Sequence, residues 1–128
     1  MTSFLEELFS KQNYNKDNFF LIAGPCVVES EELVFEVAEK VSDICKRHSI
    51  PLIFKASYKK ANRTSASSYS GPGDKTGLEI IRKAAQKFSL PSTTDIHSEK
   101  EAAMAAEYVA TMYVLFIFMF SLYLIYWK

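Results

Sequence analysis

Three groups of side chains in this sequence have types and spacings that could carry chemistry. A lone cysteine follows a Gly-Pro turn, four cations occur within nine positions, and an aspartate stands two residues from a histidine. These residues are Cys26; Lys55, Lys59, Lys60 and Arg63; and Asp95 and His97. Each group follows a predicted strand, and the reactive residues of parallel α/β folds gather just past the carboxyl ends of the strands. We therefore expect the three groups to share one edge of a sheet.

The basic group has the donors that a phosphate ester requires. Lys60, Asn62, Arg63, Thr64 and Ser65 combine a point charge, a planar fork of N–H groups and hydroxyls. Lys55 is embedded in an apolar strand, where an ammonium group is costly unless an anion balances it. The segment lacks the glycine-rich pattern of a nucleotide-binding P-loop. Phosphate binding and a solvated loop are therefore the two interpretations that the residues leave open.

The cysteine and the Asp95–His97 pair each have a structural interpretation beside the chemical one. A small thiol in a turn is often buried for packing, and a metal site at Cys26 needs three or four ligands, for which His97 is one candidate by type. Asp95 and His97 would point the same way from an extended strand end. They could accept and donate a proton, orient the lysines, or cap the next helix.

Three strand–helix pairs are predicted to position these groups. The run FFLIA, residues 19–23, predicts a strand that is buried on both faces, and LIFKAS and LPSTTD predict a second strand and a weaker third one. Ser30 is predicted to cap the first helix, and Ser98 with Glu101 to form a capping box for the third. The βαβαβα order with short connections predicts a parallel sheet covered by helices.

The totals place limits on the class of protein. A chain of 128 residues is long enough for one domain with a core. Fifteen basic and fifteen acidic residues cancel, so the charge gives no indication of a nucleic-acid partner. Two cysteines are too few for a disulfide framework, and the amino terminus is not a secretory signal. We therefore expect a cytoplasmic protein.

The sequence changes character near its end, where Tyr108 to Trp127 contains no charged residue. Twenty residues of helix would span roughly 30 Å, which is enough for the hydrocarbon core of a bilayer. A membrane span and a short out-of-frame tail are the two interpretations. We favour the out-of-frame tail, because a sheet with an open parallel edge is a poor unit to anchor in a membrane.

Three segments, LIAGPCVVES, FKASYKKANRTSASSYSGPG and TTDIHSEKEA, together resemble the first three βα units of 3-deoxy-D-manno-octulosonate 8-phosphate synthases. The resemblance covers residues 19–109 and implies an α/β fold, a partial TIM (β/α)₈ barrel. It implies an extension at 1–17, the partial barrel at 18–109 and an apolar tail outside the family at 110–128. The implied reaction condenses phosphoenolpyruvate with D-arabinose 5-phosphate and releases phosphate, in an enzyme that is usually a homotetramer.

The resemblance also implies roles for individual residues. The implied catalytic residues are Lys55 and Lys60, toward phosphoenolpyruvate, with Asp95 and His97; Asn62, Arg63, Thr64 and Ser65 hold the sugar phosphate; and Cys26 is a ligand of a divalent iron, zinc or manganese ion. A complete barrel needs roughly 250 residues, and the later metal ligands have no counterpart here. We therefore expect the chain to be inactive alone. A membrane-anchored module that binds a phosphorylated ligand and a non-functional remnant are the alternatives.

Overall fold

A parallel sheet of four strands forms the centre of the chain. The computed structural model describes residues 2–59 and 71–114. The strands are β1 (Leu21–Ala23), β2 (Leu52–Lys55), β3 (Ser92–Ile96) and β4 (Thr111–Val114), and they are hydrogen-bonded in that order. The helices are α1 (Phe4–Leu8), α2 (Glu31–Arg47), α3 (Asp74–Phe88) and α4 (Glu99–Ala106). The mixed α/β class and the alternation of parallel strands with helices are thus confirmed, and they are consistent with the start of a TIM-barrel-type fold.

The core lies between the sheet and the helices α2 and α3. Both helices have an apolar stripe at the spacing of three or four residues that a helix buries on one side. The largest fully buried side chains of this core cluster include Phe54 and Tyr58 at the end of β2, Val34 on α2, and Leu78 and Ile81 on α3. Because the core is centred on β2, the carboxyl end of this strand is held firmly.

Strand β1 is much more exposed than the sequence predicted. Leu21 and Ile22 are 38% and 50% exposed, and Phe19 just before the strand is 63% exposed. The prediction of a strand buried on both faces is therefore wrong for the described chain. The reason is that β1 is an edge strand, bonded only to β2 among the described strands.

Strand β3 is well formed although four of its five residues are polar. All five residues are buried, and the strand is bonded to β2 on one side and to β4 on the other. The hydroxyl of Thr94 donates a hydrogen bond of 2.8 Å to the carbonyl of Ala56, so this polar group is satisfied inside the sheet. Two-sided pairing explains why a segment with weak apolar content is still a central strand.

The helix caps agree with the sequence in one case and differ in another. Ser30 accepts a hydrogen bond of 3.2 Å from the backbone N–H of Leu33, as predicted. Ser98 stands at the start of α4 without a side-chain cap bond, so the predicted capping box with Glu101 is wrong. Glu101 accepts bonds from other groups, including the backbone N–H of His97.

The carboxyl-terminal limit of the barrel-like part stays a prediction. Strand β4 begins two residues after the expected boundary at Val109 and pairs in parallel with β3. The apolar stretch after β4, residues 115–128, lies outside the described residues. Within residues 2–59 and 71–114, no helix combines the length and apolar character needed to cross a bilayer.

Candidate functional site at the carboxyl ends of the strands

Lys55, Asp95 and His97 lie together where β2 and β3 end. The ammonium nitrogen of Lys55 is 3.8 Å from one carboxylate oxygen of Asp95, and Nε2 of His97 is 3.2 Å from the other. Asp95 is only 4% exposed, whereas the side chain of Lys55 is 21% exposed. A buried carboxylate therefore joins an imidazole to an ammonium group that a ligand at the sheet edge can reach. The placement agrees with the expectation from strand ends, while the chemical roles of the three residues stay predictions.

Ser57 forms hydrogen bonds with both Lys55 and Asp95, and it was not among the residues predicted from the sequence. Its hydroxyl donates a hydrogen bond to Asp95 and accepts one of 2.9 Å from Lys55. The signal was present in the sequence, because residues two apart on an extended segment share a face, and Ser57 stands two positions after Lys55. The carbonyl of Ser57 also accepts the backbone N–H of Val28, which ties the segment after β1 to the end of β2.

Gly24 allows the chain after β1 to pass close to β2. A side-chain carbon built at this position would lie 1.8 Å from the carbonyl oxygen of Lys55, so only glycine fits there. The close approach brings the following segment, including the exposed Cys26, to the carboxyl ends of the strands. Cys26 is thus placed at the expected end of its strand.

A complete metal site is not formed by the residues that the structure describes. Within these residues there is no group of three or more histidine, cysteine, aspartate or glutamate side chains placed to hold an ion. A site with one thiol ligand does not meet the coordination that zinc or iron requires in proteins. Cys26 as a metal ligand therefore stays a prediction.

Glu101 of α4 is a second residue of the site, which the sequence predicted only as the partner of Ser98 in a capping box. Its carboxylate accepts hydrogen bonds from the Tyr58 hydroxyl, from the ammonium group of Lys59 at 2.7 Å and from the backbone N–H of His97 at 2.9 Å. Lys59 also lies 3.4 Å from a carboxylate oxygen of Asp74. Glu101 therefore fixes the end of β2 and the end of β3 to one another.

These contacts change the electrostatics of Glu101 and its partners. Burial acts to raise the pKa of Glu101, but the hydrogen bonds from Lys59, Tyr58 and the His97 N–H outweigh it and hold the pKa at about 2. Burial, followed by the bond to Glu101, raises the pKa of Tyr58. Burial acts to lower the pKa of Lys59, and its contacts with Glu101 and Asp74 more than reverse this, so that the pKa is raised. Glu101 therefore stays ionised at neutral pH, and Lys59 stays protonated as its counter-charge.

The ion pairs of Lys59 distinguish it from the other lysine of the basic segment that the structure describes, Lys55. This lysine, one of the four cations of the basic segment, contacts two carboxylates. Lys55 has one carboxylate at the longer distance of 3.8 Å and remains partly exposed. The other residues with expected ligand contacts, Lys60, Asn62, Arg63, Thr64 and Ser65, lie outside the described residues.

His97 is enclosed by acidic groups on both sides of its ring. Nδ1 is buried without a hydrogen-bond partner in the described structure and lies 3.4 Å from a carboxylate oxygen of Glu101, while Nε2 faces Asp95. The described part of the site thus combines an accessible ammonium group with a histidine held between two carboxylates. Such an arrangement can bind an anion and exchange a proton next to it.

Several curated proteins with high sequence similarity to this chain share one name. The chain is 50% identical over 95 residues to the 2-dehydro-3-deoxyphosphooctonate aldolase of Koribacter versatilis, an alignment that covers 74% of this chain and 34% of that protein. It is 52% identical over 91 residues to the protein of the same name from Polaromonas sp., covering 71% and 32%. The corresponding protein of Geotalea uraniireducens is 53% identical over 87 residues, covering 68% and 32%.

The chain spans about a third of the length of these curated relatives. A family model described as the DAHP synthetase I family matches residues 10–114, which include the four strands and the site at their carboxyl ends. With most of its length matched in this way, the chain belongs to the DAHP synthetase I family.

Proposed function

We propose that this chain forms part of a 3-deoxy-8-phosphooctulonate synthase. Such an enzyme transfers the three-carbon unit of phosphoenolpyruvate to the aldehyde of D-arabinose 5-phosphate, forms a carbon–carbon bond and releases phosphate. The observation that carries the proposal is the identity of about 50% to curated proteins named 2-dehydro-3-deoxyphosphooctonate aldolase. The accessible ammonium group of Lys55 beside Asp95 and His97 supports it, because both substrates are anions.

In this proposal Lys55 binds phosphoenolpyruvate, together with Lys60. Asp95 balances the ammonium charge while no ligand is bound, at a distance that leaves the ammonium free to approach a second anion. His97, held between Asp95 and Glu101, is the group that moves a proton beside the bound substrates. Asn62, Arg63, Thr64 and Ser65 are proposed to bind the phosphate of the sugar.

The 128 residues alone are proposed to be inactive, since the chain spans about a third of the relatives' length and a (β/α)₈ barrel closes only with eight strands. Cys26 would supply one ligand to a divalent metal whose other ligands lie outside the described residues, and no step of the proposal depends on this ion. Tetramer formation is part of the same proposal, and sedimentation of the enzyme would measure it.

A chimaeric enzyme tests the proposed reaction. Residues 10–114 of this chain would replace the matching part of the Koribacter versatilis relative, and phosphate release would be measured with each substrate alone and with both. We expect release only when phosphoenolpyruvate and D-arabinose 5-phosphate are both present. A folded chimaera that accepts erythrose 4-phosphate instead, or that releases no phosphate, would contradict the proposal.

Variants of the chimaera test the roles of the residues. Lys55→Met should lower kcat/KM by about 100-fold or more, the size of effect expected when a charged group that contacts the substrate is lost. Lys83→Met is the matched control, because Lys83 is a half-exposed lysine on α3 that pairs with Glu31. Equal activity of the two variants would remove Lys55 from the proposed site.

A further inference from the structure

A cavity of about 380 Å³ lies at the amino-terminal ends of the strands, at the opposite end of the sheet from Lys55 and Asp95. The segment after α1, the ends of α2 and α3, and Leu52 at the start of β2 surround it. Gln12 closes one side of the cavity. Its side-chain amide donates a hydrogen bond to the carbonyl of Leu52 and accepts one from the backbone N–H of Leu52, both at 2.8 Å. The volume falls in the range of small-molecule binding sites.

The lining of the cavity is positively charged. It contains Lys11, Lys46 and Lys87 and no carboxylate among the residues that the structure describes. No ion pair joins any of these lysines to a carboxylate within residues 2–59 and 71–114. Lys46 and Lys87 stand in the last turns of α2 and α3, where the helix dipole favours a cation, but Lys11 lies outside any helix. An anion in the cavity would offset part of this positive charge.

Ser42 provides an independent indication of a ligand. It lies in the wall of the cavity and is 2% exposed, and its hydroxyl has no hydrogen-bond partner in the described structure. Buried polar groups are nearly always hydrogen-bonded, because a buried group without a partner loses its hydration and gains no bond in return. The unpaired hydroxyl is therefore a donor that a ligand oxygen could use.

Two residues with a strained backbone conformation line the same cavity. Ser49 and Ser89 follow the ends of α2 and α3, and both have a φ of 55°, in the left-handed region. They are the only residues other than glycine with positive φ in the described parts of the chain. Glycine is the usual residue at such positions after a helix, and strained backbone is concentrated at binding sites. Here serine keeps a hydroxyl at the edge of the cavity in both places.

We propose that this cavity binds an oxyanion that carries a short apolar group, such as an alkyl phosphate. The lysines attract its charge, and the serine hydroxyls donate to its oxygens. The apolar group contacts the apolar part of the lining, which includes Ile50, Leu52, Phe88 and Leu90. The site is separate from the proposed synthase site and does not depend on that assignment.

Titration of the full 128-residue chain with butyl phosphate tests the proposal. Backbone amide resonances of Ser42, Cys45 and Ser89 would be followed by NMR, with butanol and inorganic phosphate as the two control ligands. We expect saturable shifts with butyl phosphate, at least several-fold weaker binding of inorganic phosphate, and no saturable shift with butanol. Absence of saturation with butyl phosphate, or equal affinity for inorganic phosphate, would overturn the proposal.

Substitutions in the lining of the cavity test which residues bind butyl phosphate. Lys11→Met and Lys46→Met should each weaken butyl phosphate binding by about 5-fold, since each removes one charge from the site. Lys16→Met is the matched control, because it changes an exposed lysine of the same amino-terminal segment outside the cavity. Ser42→Ala should weaken binding by about 3-fold or more and keep the dispersed spectrum of the folded chain, because alanine suits a helix interior. Equal effects of Lys11→Met and Lys16→Met would contradict the site.

Discussion

Glu101 on α4 accepts a hydrogen bond from the hydroxyl of Tyr58, which stands 43 residues earlier at the end of β2. The same carboxylate accepts from the N–H of His97 at the end of β3. One partly buried acid therefore fixes the relative positions of two strand ends, and both ends carry residues of the candidate site. Glu101 is in this sense a positioning residue for His97 and for the chain that follows Lys55.

The pKa of Glu101 predicts how stability depends on pH. Its pKa in the folded chain is about 2, below the ordinary value of 4.5, so the stabilisation is complete above pH 4.5 and is lost as the pH falls toward 2. A difference of this size corresponds to about 3 kcal/mol. We expect Glu101→Gln to remove most of the loss in unfolding free energy that the parent chain shows between pH 5 and pH 2.5, as measured by urea unfolding.

The control for Glu101 is another glutamate of the same helix. Glu99 is exposed in the first turn of α4, and Glu99→Gln should leave the acid dependence of unfolding close to that of the parent chain. If Glu101→Gln and Glu99→Gln gave the same pH profile, the hydrogen-bonded network around Glu101 would not contribute to stability.

Replacement of Lys59 should destabilise the chain without weakening ligand binding. Lys59→Met removes the cation that contacts both Glu101 and Asp74, and it leaves a largely buried carboxylate without its counter-charge. The expected loss is about 1–3 kcal/mol of unfolding free energy. Lys75→Met is the control, because Lys75 is an exposed lysine beside Asp74 on α3. In the chimaeric enzyme, a KM for phosphoenolpyruvate that rises as much for Lys59→Met as for Lys55→Met would show that Lys59 contacts the substrate.

The general fold and the placement of three candidate site residues could be predicted from the sequence because they depend on local patterns. Short apolar runs alternate with helical periodicity, and this order requires a parallel sheet. Lys55 ends an apolar strand, and Asp95 and His97 lie at the end of a weaker, mostly polar strand. Their meeting at one edge follows from the topology.

The contacts of Glu101 and the exposure of β1 could not be predicted in the same way. Glu101 has the spacing of a capping box with Ser98, and only the docking of α4 against the end of β2 directs its carboxylate to Tyr58 and Lys59 instead. An apolar run indicates that a strand can be buried, but whether another layer covers it depends on the rest of the fold. Leu21 and Ile22 are therefore exposed in the described chain despite their apolar character.

Two glycine variants separate a steric requirement from a conformational one. Gly24→Ala places a carbon 1.8 Å from the Lys55 carbonyl oxygen, which the backbone of β2 cannot avoid without moving. Gly73→Ala meets no atom of the described residues within 4 Å, but its φ of 111° is unfavourable for alanine. We expect a loss of about 1–2 kcal/mol for Gly73→Ala and a larger loss, about 3 kcal/mol or more, for Gly24→Ala. Equal unfolding free energies of the two variants would show that the close approach after β1 is not tightly held.

Removal of the Ser57 hydroxyl tests whether it supports the buried carboxylate of Asp95. Ser57→Ala takes away a donor to Asp95 and an acceptor for Lys55, while the Lys55–Asp95 pair at 3.8 Å remains. The loss of one charge-assisted hydrogen bond to a buried carboxylate should lower the free energy of unfolding by about 1–3 kcal/mol. Ser98→Ala is the matched control, because Ser98 is exposed and its side chain makes no cap bond, so its cost should stay below about 0.5 kcal/mol. Urea unfolding at neutral pH measures both, and a cost for Ser57→Ala no greater than that for Ser98→Ala would mean that Asp95 is held by Lys55 and His97 alone.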